Sequence, residues 1–374
     1  MADFIMPSLG SDMEAGTLVK WRRAVGDRVA RGDILAEVET DKGIIEVETF
    51  VSGVIDRFVV EPGAKVPVGT VLAIIHDEAG ALISPVPRER AAPAALPRAS
   101  PLTRRRAREL GVELAEVAPS SPDGIVSVAD VERAAEGKKA PTAETKPSPE
   151  RRMRRAIAAT LSRAKREIPH FYLRHTIDLH TATSWLERHN VSRAPEERVI
   201  AGALLVRAVA RAARAVSELN AHMREVDGEW EAKPLDHVHV GVAISLRGGG
   251  LVAPAIHDAD RLGCDDLMRA LVDVTTRARA GTLRSSEMSD ATITLTSLGE
   301  RGVDEVVPVV FPPQVAMVGA GSVRTRPWVV DGSVVARPLV ELTLAVDHRV
   351  TDGHRASRFL LEMEKLLVTA PEEP

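Results

Sequence analysis

The sequence has little of what marks several large classes of protein. Its single cysteine, Cys264, excludes an internal disulfide, which fits a reducing compartment. Aromatic residues make up only 3%, so the cores must be built from Val, Ile, Leu and Ala. No apolar run reaches the ~18 residues of a membrane span, and the first ten residues have no basic stretch typical of a signal peptide. With a net charge of -4, we expect a cytoplasmic protein that binds neither membrane nor nucleic acid.

The first 77 residues contain an internal repeat. Short runs of β-branched residues alternate with glycines, which is typical of short strands joined by tight turns. A duplicated unit of this size predicts two similar sheets facing each other, so we assign residues 1–77 to an all-β sandwich. The positions that recur after 37 residues are Gly16 and Gly53, Gly26 and Gly63, Gly32 and Gly69, and Leu35 and Leu72.

A lysine lies at the joint between the two halves of this repeat. Residues 36–40 and 44–48 alternate apolar and acidic residues, and Asp41-Lys42-Gly43 stands between them. A type I turn followed by a glycine in the left-handed region closes such a three-residue hairpin. The pattern therefore predicts that Lys42 lies at an exposed tip. A turn lysine is usually only solvated, but its place at the centre of a repeat favours a function.

Composition divides the rest of the chain. Residues 79–99 and 138–149 are rich in proline, which predicts extended linkers without a core. Between them, residues 100–136 form a short island with a basic helix and a second helix capped by Ser127. Residues 150–374 mix helical spacing, over 153–165, 200–219 and 356–367, with alternating strands over 238–244 and 340–346. This mixture predicts a large α/β domain.

One histidine follows directly from a predicted strand. His348 comes two residues after Val346, and Asp352 stands where it can cap the final helix. An imidazole at the mouth of a sheet suits general-base chemistry, because histidine ordinarily titrates near ~6.5. Taken alone the pattern is weak, since a histidine before a turn is more often structural. His237 and His239 share one face of a strand, but without an acidic or cysteine partner nearby they predict no metal site.

Two stretches resemble the signatures of one enzyme family. Glu39-Thr40-Asp41-Lys42 is similar to the lipoyl-attachment hairpin of 2-oxo acid dehydrogenase complexes, whereas a biotin carrier has Met on each side of its lysine. Residues 347–353, Asp-His-Arg-Val-Thr-Asp-Gly, resemble the acyltransferase signature of the same complexes. With the order of the domains, these stretches make the chain similar to the dihydrolipoamide acyltransferase components. Further matches are residues 168–172, 219–221 and 302–305.

The resemblance implies a fold and a mechanism. The fold is multidomain: an all-β lipoyl sandwich, a small α-helical subunit-binding domain and an α/β catalytic domain like that of chloramphenicol acetyltransferase. Lipoate is attached covalently to Lys42, and coenzyme A is the substrate that receives the acyl group. His348 takes the proton of the coenzyme A thiol. Thr296, or Ser297 in its place, supplies the hydroxyl that the family's serine gives to the oxyanion. Asp352 organises the turn through an ion pair.

The resemblance also implies partners. The family's catalytic domains form homotrimers with the active site between subunits, and the trimers build a larger cubic or dodecahedral core. Residues 100–136 resemble the peripheral-subunit-binding domain, which implies binding to the 2-oxo acid decarboxylase/dehydrogenase component and to dihydrolipoamide dehydrogenase. Arg104 and Arg105 match its basic helix, but Ile125 replaces the arginine that usually pairs with a partner carboxylate.

Two other hypotheses compete with this interpretation. A non-catalytic lipoyl carrier and scaffold subunit of such a complex requires damage to residues 348–353, which are intact. The hypothesis of an unrelated binding protein does not explain why both signatures occur in one chain. The acyl group stays open between acetyl, from pyruvate or acetoin, and branched-chain groups, and acetyl is favoured as the smallest and commonest.

Overall fold

The structure is a computed structural model that describes residues 2–8, 13, 15–40, 43–76, 98–110, 117, 125–137, 149–246, 250–298 and 302–369. Its contacts divide the chain into two units, one made of residues 1–80 and 148–374 and the other of residues 81–147. Among the described residues, no helix has both the length and the apolar character needed to cross a membrane.

The N-terminal domain folds as the predicted β-sandwich. In its described part, two four-stranded sheets, ordered β1-β8-β6-β3 and β5-β4-β2-β7, share one core of buried side chains. The repeat is visible in the backbone, because Gly26 and Gly63 turn the chain with φ of 92° and 91° at equivalent places. The strands are β1 (Ala2–Ile5), β2 (Ala15–Trp21), β3 (Arg28–Val29), β4 (Ile34–Thr40), β5 (Gly43–Glu48), β6 (Gly53–Phe58), β7 (Lys65–Pro67) and β8 (Val71–His76).

The small unit consists of short elements in the order β9 (Arg98–Ala99), α1 (Pro101–Leu110), β10 (Ile125–Val126) and α2 (Val128–Gly137). Ser127 caps α2 as predicted, since its Oγ accepts a hydrogen bond from the Asp130 amide at 3.2 Å. The prediction of a linker over 79–99 is wrong at its end, because Arg98 and Ala99 pair in parallel with β10. Two strand residues after a proline-rich run carry no periodicity by which the sequence could reveal them.

The large domain is an α/β fold whose helices and strands enclose one extensive core. Its first elements are α3 (Pro149–Glu167), β11 (His170–Asp178), α4 (His180–Asn190), α5 (Ala201–Ala215), β12 (Ala221–Val226), β13 (Glu229–Pro234), β14 (Val240–Val242), β15 (Ile244–Ser245), β16 (Leu251–Val252) and β17 (Ala255–Ile256). The remainder are α6 (Cys264–Ala280), α7 (Ser285–Ser289), β18 (Ile293–Ser297), β19 (Ala316–Ala320), β20 (Arg324–Val330), β21 (Ser333–Asp347) and α8 (Gly353–Val368).

A seven-stranded mixed sheet organises this domain. In the described residues its order is β11-β21-β19-β18-β14-β17, and β20 pairs with the first part of β21. Strands β14, β18 and β19 run parallel to one another, whereas β21 is antiparallel to both of its neighbours. Helix α5 packs against α6 and α8, and its buried alanines allow this close approach. The sheet therefore determines where the ends of its strands are exposed to solvent.

The predicted strand over 238–244 is broken in the structure. Residues 240–242 belong to the large sheet as β14, whereas Ile244 and Ser245 leave it to pair with β16. Between them, the Ala243 amide donates to the carbonyl of Leu295. Apolar residues alternate through the break, at Val238, Val240, Val242 and Ile244, so the sequence pattern alone predicts one strand.

Candidate active site

The turn after β21 carries His348. Strand β21 is buried from Leu342 to Asp347, and the exposed imidazole of His348 follows at once. The His348 amide donates to the carbonyl of Pro169 at 3.0 Å, and the ring of Phe171 lies 4.7 Å from the imidazole between centroids. Pro169 immediately precedes β11, the neighbouring strand, and Phe171 belongs to that strand. They hold an exposed imidazole in a defined place at the edge of the sheet.

A buried ion pair fixes the same turn. The Asp347 carboxylate is fully buried, and Arg349 donates to it from Nε at 3.0 Å and from Nη2 at 2.6 Å. The Arg349 guanidinium in turn lies over the ring of Trp230, 4.8 Å from its centroid. Sequence reasoning did not find this pair, although both residues lie within the acyltransferase-like signature.

Asp352 caps α8, as the sequence predicts. Its side chain accepts a hydrogen bond from the Arg355 amide at 3.0 Å, and this bond holds the pKa of the Asp352 carboxyl below its usual range. The ion pair observed in this turn joins Asp347 and Arg349, and an ion pair of Asp352 stays a prediction. Glu218 adds a second link, accepting from Thr351 Oγ1 at 3.2 Å and from Arg355 Nη1 at 2.7 Å.

Thr296 lies near the carboxyl end of β18 and is half-buried, whereas Ser297 is exposed. Strand register places Thr296 opposite Gly319, which in turn lies opposite Thr343. His348 is five residues further along the chain than Thr343. At about 3.3 Å per residue and 4.8 Å per strand spacing, Thr296 and His348 are roughly 16 Å apart along the strands and roughly 10 Å apart across them. One chain does not bring these two residues together.

Lys42 lies outside the described residues. The two strands on either side of it do pair, and their last partners are Thr40 and Gly43. The prediction of a three-residue turn is therefore wrong at Gly43, which belongs to β5 and leaves two residues for the connection. Two-residue connections are the commonest between antiparallel strands, so the hairpin itself is confirmed.

The structure adds an acidic neighbour to the histidine pair. Potential ligand atoms of His237, His239 and Asp258 lie within 4.8 Å of one another. However, the Asp258 amide donates to Nδ1 of His239 at 3.0 Å, so that lone pair is already used. Burial lowers the pKa of His239, which agrees with a neutral hydrogen-bond acceptor. Asp258 follows nearly 20 residues later in the chain, and no spacing signal reveals the contact.

Comparisons with known proteins match all three regions of the chain. The model described as 2-oxoacid dehydrogenases acyltransferase (catalytic domain) matches residues 142–373. The chain belongs to this family. The models described as biotin-requiring enzyme and e3 binding domain match residues 2–75 and 97–132.

Full-length relatives have the same organisation. The lipoamide acyltransferase component of the branched-chain alpha-keto acid dehydrogenase complex of Pseudomonas aeruginosa is 33% identical over 418 residues, covering 97% of this chain and 96% of the relative. The acetyltransferase component of the pyruvate dehydrogenase complex of Zymomonas mobilis is 29% identical over 431 residues, with 97% of each chain covered.

Solved structures match the catalytic domain. The dihydrolipoamide acetyltransferase of Azotobacter vinelandii gives a TM-score of 0.54 at 26% identity, covering 58% of this chain and 88% of that one. The cubic core of a pyruvate dehydrogenase multienzyme complex gives the same TM-score, identity and coverage. The predicted fold class, with lipoyl, subunit-binding and acyltransferase domains, is confirmed. The enzyme is a dihydrolipoamide acyltransferase, and its substrates are a lipoyl-borne acyl group and coenzyme A.

Proposed function

We propose that His348 is the general base of this acyl transfer. The observation that carries the proposal is an exposed imidazole at the end of β21, where the His348 backbone amide donates to the Pro169 carbonyl and the imidazole lies against the Phe171 ring. His348 takes the proton from the coenzyme A thiol, and the resulting thiolate attacks the carbonyl of the acyl thioester. The same residue returns the proton to the departing lipoyl sulfur, so no other reactant is needed.

Thr296 is proposed as the donor to the oxygen that becomes negative during the attack. Its hydroxyl is half-buried, and a donor in a water-poor site stabilises developing charge more than one in water. The mechanism of the Azotobacter enzyme has been examined at a serine, a histidine and an asparagine. The same intervals that separate those three residues separate Thr296, His348 and Asp352 here. This chain therefore keeps the hydroxyl and the histidine, and has a carboxylate in place of the amide.

The proposed site lies between two subunits. Because Thr296 and His348 are roughly 16 Å apart along the strands of one chain, a site that uses both must take them from different copies. A homotrimer satisfies this requirement, since each of its three interfaces joins the His348 of one chain to the Thr296 of the next. The similarity to a protein that forms a cubic core supports further assembly of such trimers.

Lys42 is proposed as the attachment point of the lipoyl group. The pairing of Thr40 with Gly43 leaves only Asp41 and Lys42 in the connection, which suits presentation of a modified lysine. When attached there, the lipoyl group carries the acyl group as a thioester to the catalytic domain. Linkers of proline-rich composition, ending before Arg98 and before Pro149, are proposed to join the carrier to the other domains.

The small unit is proposed to bind the 2-oxo acid decarboxylase/dehydrogenase component and dihydrolipoamide dehydrogenase. Helix α1 presents exposed Arg104 and Arg105, which suits an acidic partner surface. Ile125 pairs with Arg98 in the strand register, and residues 118–124 lie outside the described residues. Cytoplasmic location is proposed from the single cysteine, which provides no disulfide.

Coenzyme A acylation by the lipoylated protein tests this function directly. Acetyl, isobutyryl and succinyl groups on the carrier would be compared side by side, and we expect clear turnover of one, with acetyl favoured. The relatives include both acetyl and branched-chain enzymes. The relative rates with acetyl and isobutyryl groups therefore indicate which kind of complex this chain serves. Equal rates near background for all three would contradict catalysis and favour a scaffold role.

A further inference from the structure

The edge strand of the lipoyl domain meets the catalytic domain. Strand β5 is the outermost strand of its four-stranded sheet in the described residues, so one edge of its backbone faces away from β4. The Glu46 amide donates to the carbonyl of Leu283 at 3.2 Å, and the Glu48 amide lies 3.5 Å from Ser285 Oγ. Glu46 and Arg284 also form a parallel β-bridge. The catalytic segment thus extends the carrier's sheet by a short stretch of backbone.

Apolar and charged contacts accompany this pairing. Met288 of α7 packs against the buried core of the lipoyl domain and against that of the catalytic domain. Arg152 of α3 donates from Nη2 to Oε1 of Glu39 at 2.9 Å. Ser285 and Glu48 are almost fully buried, at 1% and 6% exposure, so water is excluded from the centre of the contact.

The acceptor surface, residues 283–289, is fixed from within the catalytic domain. The Glu287 carboxylate accepts from the Arg284 amide at 2.9 Å and forms an ion pair with Arg277 of α6. The Ser289 hydroxyl stabilises α7 by donating to the Ser285 carbonyl at 3.1 Å. A segment that is already rigid loses little conformational freedom when a strand binds to it. The surface is therefore preorganised for an edge strand.

We propose that residues 283–289 are a resting dock for the lipoyl domain of the same chain, bound through β5 and independent of the lipoyl group. The contacts come from Glu39, Glu46 and Glu48, and none requires the modified lysine. Delivery of an acyl group is different, because it must place the lipoyl arm in the catalytic site. The inference rests on the proposed function only for the role of Lys42.

Disulfide trapping in the full chain tests the dock. The single native cysteine is removed with Cys264→Ser, and Glu46→Cys is combined with Arg284→Cys, since bridge partners in adjacent strands are spaced as disulfides require. The matched control combines Glu46→Cys with Arg269→Cys, an exposed position of α6. Under mild oxidation we expect the 46–284 bond to form about tenfold faster than the 46–269 bond, because docking raises the effective concentration.

A second variant separates docking from catalysis. Lys42→Arg is expected to abolish coenzyme A acylation and to leave the 46–284 bond forming at the same rate. Peptide mass spectrometry on a mixture of isotopically heavy and light chains tells bonds within a chain from bonds between chains. Equal rates for the two cysteine pairs, loss of trapping in Lys42→Arg, or bonds formed only between chains would each overturn the dock. Loss of acylation with trapping intact leaves the dock standing, whichever residue carries the lipoyl group.

Discussion

Arg349 holds the buried carboxylate of Asp347 with two of its side-chain nitrogens, and His348 lies between the two residues in the sequence. Replacing Arg349 by methionine removes the guanidinium from a fully buried carboxylate, which keeps the hydrogen bond from the backbone amide of residue 349. We expect Arg349→Met to lower the free energy of unfolding by about 3 kcal/mol, the usual cost of breaking such a pair. Urea unfolding measures this, and Arg349→Lys, which keeps one donor, should lose less. Equal stability of all three proteins would contradict a structural role for the pair.

Variants at Thr296 test its proposed hydrogen bond to the oxyanion. Thr296→Ala should lower kcat by about 10²-fold, because one preorganised donor is removed. Thr296→Ser keeps the hydroxyl and should retain most of the activity. Ser297→Ala is the matched control on the same strand. A loss confined to Ser297→Ala would move the role to the neighbouring hydroxyl.

Mixed oligomers test whether the site is shared between chains. Thr296→Ala and His348→Ala are each expected to have little activity alone, about 1% of wild type for Thr296→Ala. Co-expressed in equal amounts, they should regain up to about a quarter of the wild-type activity, the fraction of interfaces that pair two intact residues. The control combines a chain that carries both substitutions with a His348→Ala chain. This mixture should stay inactive, because none of its chains has His348. Absence of any recovery in the first mixture would contradict a site between chains.

Asn220 is a core residue whose side chain hydrogen-bonds the backbone just before β14. It is 1% exposed, and its Nδ2 donates to the carbonyls of Leu235 at 2.9 Å and His237 at 2.8 Å. Asn220→Ala leaves both carbonyls without this donor, and we expect a loss of about 2 kcal/mol in thermal or urea unfolding. Asn190 makes the same kind of bond to Val199 from a half-buried position, so Asn190→Ala should cost less. The reverse order would contradict the argument from burial.

His257 provides a pH-dependent contribution to stability. The hydrogen bond from its Nε2 to Asp290 is the main cause that raises the pKa of His257 above its ordinary value of 6.5. The charged form therefore favours the folded state. Its contribution is complete below 6.5 and is lost as the pH rises through the raised pKa. The difference in unfolding free energy between wild type and His257→Gln should shrink across that range, and a pH-independent difference would contradict it.

The sequence predicts most of the fold because its periodic segments are long. The alternation over 340–346 predicts the buried half of β21, but residues 333–338 are exposed or half-buried and carry no such pattern. The 37-residue repeat predicts two facing sheets, yet the place of Gly43 in a strand depends on pairing with Thr40. Local spacing predicts the cap at Asp352 because a cap is made within four residues.

Contacts between distant segments explain what the sequence could not reveal. His239 accepts from Asp258, and Phe171 packs beside His348, through strands that meet only in the folded chain. The distance between Thr296 and His348 follows from the registers of three strands, none of which is encoded by local periodicity. The proposal that the site takes the two residues from different chains therefore rests on the sheet topology.

The outer edge of β5 also bears on how separate molecules behave at high concentration. An uncovered edge strand is a template for sheet growth between chains, and release of the carrier from residues 283–289 uncovers this one. The uncovered edge then presents Glu46 and Glu48, and like charges placed opposite each other destabilise pairing of two such edges. The acidic strand that the catalytic domain covers is thus protected against self-aggregation when it is free.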